Sequence, residues 1–127
     1  MDKKKVLIVD DEPDIIFSIR KVLEEKAGDD YDIISAENGK QCLELLKNNE
    51  MPDLILLDIM MPEMNGWVLY DMIKNNASWK GIPIVFLTAR KDKLAAGAGE
   101  LLGDDYITKP FESEGFVNRI DKVLKKH

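Results

Sequence analysis

The stretch Val6-Leu7-Ile8-Val9-Asp10-Asp11-Glu12-Pro13 decides the fold. Four aliphatic residues in unbroken succession are too few for a helix and lack the alternation of a half-exposed strand. They therefore predict a strand buried on both faces, as in a parallel sheet. The acids and proline that follow open a helix, because an acidic residue caps a first turn and Pro is tolerated inside it. Beyond Pro13, Ile15, Ile16, Ile19, Val22 and Leu23 recur three and four apart, which is one helical face. Buried strand, acidic exit and amphipathic helix make one unit of an α/β fold.

The same unit recurs along the chain. Leu54–Leu57 and Ile84–Leu87 are further continuous apolar runs, the second preceded by Pro83 at a position a strand tolerates. Tyr31–Ala36 and Asp105–Thr108 are weaker strands, placed at edges or ends of the sheet. Cys42, Leu43 and Leu46 mark the buried face of a second helix, and Val68, Leu69, Met72 and Ile73 that of a third. Residues 91–102 are read as a fourth helix, weakened by Gly97 and Gly99 at about 1 kcal/mol each relative to Ala. Phe116, Val117, Ile120 and Leu124 mark the last helix, with Lys122, Lys125 and Lys126 where the helix dipole favours cations. Five strands alternating with five helices predict a doubly wound five-stranded parallel sheet, and residues 1–127 are expected to form one domain.

The composition narrows the function. The chain has 127 residues, 45% hydrophobic and 33% charged, with a net charge of −6. That charge offers no positive field to gather phosphates, so nucleic acid is not expected as a direct partner. A single cysteine, Cys42, precludes an internal disulfide and fits a reducing, cytoplasmic setting; on an apolar helix face it is read as packing. The single histidine is His127, which excludes His-based triads and His-rich metal sites. No apolar run approaches the roughly 18–20 residues of a membrane span, and Met1-Asp2-Lys3-Lys4-Lys5 does not open a signal peptide. Trp67 and Trp79 are expected to pack near helix ends.

In such a sheet ligands bind at the carboxyl ends of the strands. Those exits carry Asp10, Asp11 and Glu12, then Asp58, then Thr88, then Lys109 and Pro110. Asp11 or Glu12 before Pro13 is also an ordinary helix start. Asp58 has no such explanation, because Ile59-Met60-Met61-Pro62 follows it and delays the next helix. Three carboxylates brought together repel one another unless a cation joins them, and a hard divalent ion with oxygen ligands answers that need. Magnesium, which keeps several waters and takes one or two carboxylates plus a phosphoryl oxygen, matches this inventory.

In this order the residues resemble the receiver domain of two-component response regulators, over essentially the whole chain. The resemblance is carried by Val9-Asp10-Asp11-Glu12, by Asp58-Ile59-Met60-Met61-Pro62-Glu63-Met64-Asn65-Gly66, by Leu87-Thr88-Ala89-Arg90 and by Asp104-Asp105-Tyr106-Ile107-Thr108-Lys109-Pro110-Phe111. It implies a flavodoxin-like (βα)5 fold with strand order 2-1-3-4-5. It implies Asp58 as phosphoacceptor, and Asp10, Asp11, Asp58 and the backbone carbonyl of Met60 as the surroundings of Mg²⁺, for which Mn²⁺ can substitute. Thr88 and Lys109 are implied as ligands of the phosphoryl oxygens, Thr88 and Tyr106 as the switch pair, and Lys109-Pro110 as a cis peptide. Two departures stand out: Gly103 runs directly into Asp104 where the family usually has Ala, and residues 88–109 are one residue short.

The implied function is a signalling module rather than a turnover enzyme. A sensor histidine kinase or phosphotransfer protein donates the phosphoryl group, and the face built from the fourth helix, fifth strand and last helix then changes its affinity for an unidentified output protein. The implied assembly is a monomer or a weak, phosphorylation-dependent dimer, away from membranes. Ending at residue 127, the chain is expected to be either a stand-alone receiver or the excised receiver of a longer protein. Met60 and Arg90 are bulky and cannot orient water, so the phosphorylated state is expected to be long-lived. Two other classes share the topology. A metal-dependent phosphohydrolase wants an acid two residues after its nucleophile, where Met60 stands. A flavin phosphate would be repelled by the acidic strand exits.

Overall fold

A computed structural model describes residues 3–27, 30–59, 61, 63–89, 105–109 and 113–126. Five strands, β1 (Lys4–Val9), β2 (Tyr31–Ala36), β3 (Leu54–Asp58), β4 (Ile84–Ala89) and β5 (Asp105–Lys109), form one parallel sheet in the order β2-β1-β3-β4-β5. The described helices are α1 (Pro13–Ala27), α2 (Gly39–Lys47), α3 (Gly66–Lys74) and the C-terminal α4 (Ser113–Lys126). The helix expected over residues 91–102 lies outside the described residues, as do Met60, Arg90 and Pro110.

Each central strand is apolar on both sides because it feeds two cores. Val6, Ile8, Leu54, Leu56, Val85 and Leu87 pack with α1 and the C-terminal helix. Leu7, Val9, Ile55, Leu57, Ile84 and Phe86 point the other way, against α2 and α3. That alternation is the period of two that every strand imposes on its side chains. It explains why the sequence shows continuous runs instead of polar–apolar alternation.

Helix starts follow local chemistry. The Glu12 carbonyl accepts from the N–H groups of Ile15 and Ile16, so Glu12 caps α1 with Pro13 as its first residue. Asn38 accepts from the Gln41 N–H at 2.8 Å and Asn65 from the Val68 N–H at 3.0 Å, so each supplies the side-chain oxygen that the first turn of its helix lacks. At the outer edge, the Arg20 guanidinium donates to the Ile33 carbonyl of β2, occupying a carbonyl that β1 does not use.

One expectation is overturned. Of the four residues read as the buried face of the third helix, only Leu69 and Ile73 are buried; Val68 is 47% exposed and Met72 42%. The sheet accepts a narrow stripe of α3, and residues one position before it turn outward. Cys42 is fully buried, and burial pushes its thiol up to about 12, which leaves it inert.

Tyr31 ties the edge strand to the C-terminal helix through a hydrogen bond from its hydroxyl to Asp121. Burial, and then the Asp121 carboxylate, hold the hydroxyl's pKa well above the ordinary tyrosine value. The folded state therefore keeps its proton longer than the unfolded chain does. This stabilisation is complete below about pH 10 and is lost as pH rises from there toward the folded value. Tyr31→Phe is expected to cost about 1.5–3 kcal/mol near neutral pH and to remove that alkaline loss. Urea unfolding at neutral and alkaline pH measures both, and equal stabilities across the range would refute the role of this bond.

Candidate functional site

The parallel register brings the strand exits to one edge of the sheet. Val9 pairs with Leu57, so Asp10 and Asp58 follow at adjacent positions on neighbouring strands, which lie about 4.8 Å apart. Asp58 in turn pairs with Leu87, which places Thr88 one step further along β4. Thr88 pairs with Thr108 and Ala89 with Lys109. The backbone thus gathers Asp10, Asp58, Thr88 and Lys109 at one edge, with Tyr106 three positions before the end of β5, opposite Phe86.

Among the described residues, Asp10 (0% exposed) and Asp58 (4%) are the two buried charged side chains. Burying a carboxylate is costly unless its oxygens are engaged. One Asp10 oxygen accepts from the Glu12 N–H at 2.9 Å, and the Asp10 N–H donates to the Ala36 carbonyl at 3.1 Å, so the residue is fixed from both sides. Asp10, Asp11 and Glu12 each offer a carboxylate oxygen within 4.8 Å of the other two. Glu12, read from its sequence position both as an acid of the strand exit and as a helix start, joins this group. It does both, because its carbonyl serves the helix while its carboxylate faces the neighbouring acids. Three oxygen donors at this separation suit a hard divalent cation.

After Asp58 the chain folds back on itself. The Ile59 N–H donates to the Leu87 carbonyl at 3.2 Å, and the Gly66 N–H donates to the Ile59 carbonyl at 2.8 Å. Between them Glu63 adopts φ 66°, a left-handed turn residue. Helix α3 therefore starts eight residues after Asp58, and its cap is Asn65 rather than Asp58. Gly66 has a reason of its own. A Cβ there would lie 2.5 Å from the Asp58 carbonyl oxygen and 2.8 Å from the Ile59 Cα. Its hydrogen side chain lets the start of α3 rest directly on the backbone that carries Asp58.

An aromatic cluster backs this arrangement. Trp67 and Tyr70 on α3 pack on Phe86 with ring centroids 4.7 and 5.4 Å away, in tilted geometry. Phe86 stands two residues before Thr88, so the cluster couples the first turns of α3 to the end of β4. Trp67 packs near a helix end, as expected; its partner on β4 is not legible in the sequence, because it lies nineteen positions away.

Similarity to known proteins identifies the family of the chain. Residues 6–121 match the response regulator receiver domain family, and the chain belongs to that family. It is 37% identical to the transcriptional regulatory protein CpxR of Escherichia coli (strain K12), over 96% of this chain and 50% of that protein. It is 38% identical to histidine kinase P4 of Formosa agariphila, over 98% of this chain and 9% of that one. The chain spans about half the length of the curated regulators it matches. Among solved structures, the CheY-like receiver domain protein from Methanospirillum hungatei JF-1 is 36% identical with a TM-score of 0.79, covering 99% of this chain and 100% of that one. The receiver domain of Francisella response regulator 1452 is 30% identical with a TM-score of 0.82, covering 98% of each. Receiver domains are signalling modules, and the chain's flavodoxin-like sheet order is theirs. Among the described residues, no helix is long and apolar enough to cross a membrane.

Proposed function

We propose that Asp58 is the phosphoacceptor of a two-component receiver, and that Asp10, Asp11 and Asp58, with the Met60 carbonyl, hold Mg²⁺ beside it. The observation that carries this reading is a buried carboxylate ending a central strand next to Asp10, with an acidic trio at the adjoining strand exit. Mn²⁺, also a hard oxygen-preferring ion, substitutes. Bound there, the cation supplies positive charge between the Asp58 carboxylate and the phosphoryl oxygens, which otherwise repel. An Asp58 oxygen attacks phosphorus in line while the bond to the donor's histidine nitrogen breaks. Lys109 and the Thr88 hydroxyl hold the phosphoryl oxygens, and Thr88 with Tyr106 relays the change toward β5 and the C-terminal helix. The Lys109-Pro110 peptide is cis in this reading.

The donor is a sensor histidine kinase or phosphotransfer protein, and an output protein or domain reads the switched surface, in the cytoplasm and without direct nucleic-acid contact. The chain catalyses only its own phosphoryl transfer and loss, as one receiver domain spanning residues 1–127. Neither Met60 nor Arg90 carries a group that orients water, and a long-lived acyl phosphate is expected on that ground. Incubation with a small acyl phosphate and Mg²⁺ is expected to add one phosphoryl group, mapped by peptide mass to Asp58, and none in the presence of a chelator. Uptake without Mg²⁺, or on another residue, overturns the reading.

The metal makes its own prediction. Asp11→Ala removes one of three clustered carboxylates, so Mg²⁺ binding, followed by Trp67 fluorescence, is expected to weaken roughly 10-fold or more. Without metal the same variant is expected to unfold at slightly higher temperature, because like-charge repulsion is relieved. Unchanged Mg²⁺ affinity would place the ion elsewhere.

A further inference from the structure

We propose that the groove between α2 and α3 is a contact face for a second copy of this chain, separate from the phosphoacceptor edge. Val68 and Met72 are one helical turn apart on α3 and stand 47% and 42% exposed. With Leu43 and Trp79 they line an open groove of about 500 Å³. Leu69 and Ile73 already satisfy the sheet, so the fold has no use for two more large apolar residues on this helix. Apolar side chains grouped in a concave patch, rather than scattered singly, mark a contact site.

The charges on the groove identify the occupant. Lys47, at the end of α2, and Asp71, on α3, both line it and are exposed. Neither is in an ion pair within the chain among the described residues. A net charge of −6 makes two copies repel at long range, so association needs a local attraction. One rim charge of each sign supplies it under two-fold symmetry. Rotation of one copy onto the other sets Lys47 against Asp71 of the second copy, and the reverse pair forms at the same time. Antiparallel α3 helices then place Val68 against Met72 of the second copy. Such a contact closes on itself. It is small, below about 1,200 Å² in total, and therefore transient.

Sedimentation velocity from about 20 µM to about 1 mM is expected to show reversible dimerisation in the upper part of the range. Lys47→Asp makes both rims negative and Asp71→Lys makes both positive, so each variant alone is expected to self-associate at least about 10-fold more weakly. Mixed together, the two variants are expected to form a heterodimer as strong as the wild-type dimer, because both rims then meet a rim of opposite charge. Both side chains are exposed, so the variants fold, and neither lies in the phosphoryl site. A chain that stays monomeric at the highest concentration overturns the proposal. So does a dimer that ignores both charge reversals, which would use another face. Single variants that weaken but fail to rescue one another also overturn it, since Lys47 and Asp71 would then not face each other across a two-fold contact.

Discussion

Asp58→Asn is expected to take up no phosphoryl group from a small acyl phosphate and Mg²⁺, under conditions in which the wild type takes up one. The exchange keeps the volume of the side chain, which matters at a position only 4% exposed, and it keeps one carbonyl oxygen for hydrogen bonding. What it removes is the anionic oxygen, and a neutral carboxamide is not a competent nucleophile toward phosphorus. Thermal unfolding of the variant is expected to remain a single cooperative transition, which separates loss of chemistry from loss of fold. Mg²⁺ affinity is expected to fall as well, because one carboxylate charge leaves the site. Full stoichiometric uptake by Asp58→Asn would mean that another carboxylate, such as Asp10, Asp11 or Glu12, is the acceptor.

The second large effect belongs to a residue with no functional group. Gly66→Ala places a methyl group 2.5 Å from the Asp58 carbonyl oxygen, 2.8 Å from the Ile59 Cα and 3.1 Å from the Asp58 carbonyl carbon. All three are backbone atoms, so no side-chain rotation relieves the clash. The start of α3 must move away by the better part of an ångström, stretching the Gly66 N–H bond to the Ile59 carbonyl. Overpacking of this kind costs about 1–3 kcal/mol, and the expected fall in melting temperature is roughly 3–15 °C. The rate of phosphoryl uptake is expected to drop by about 10-fold or more, because the displaced backbone carries the nucleophile. Two other glycines calibrate the result. A methyl group at Gly81 or Gly115 would meet nothing within 4 Å, so alanine is expected to be tolerated at Gly81 and to stabilise the C-terminal helix at Gly115 by up to about 1 kcal/mol. A Gly66→Ala protein that melts and phosphorylates like the wild type would show that α3 and β3 are not in the close contact described.

Much of this protein is determined by its sequence alone. Unbroken runs such as Val6–Val9, Leu54–Leu57 and Ile84–Leu87, each only four residues long, read as strands buried on both faces, and a parallel sheet covered by helices follows from them. Acids at two of their exits, at the edge where such sheets bind ligands, locate the candidate site. Those inferences hold because strand and helix periods are local properties of the chain. Tertiary structure decides what depends on contacts between distant residues. It turns Val68 and Met72 outward, because the sheet has room for only one stripe of α3, and periodicity cannot measure how wide a stripe a neighbour will cover. It brings Glu12 within 4.8 Å of Asp10 and Asp11, where the sequence leaves open whether an acid of this exit caps the helix or joins the site. It gives Gly66 its purpose, since the need for a missing side chain arises from the backbone it must touch, eight residues away along the chain and in direct contact in space.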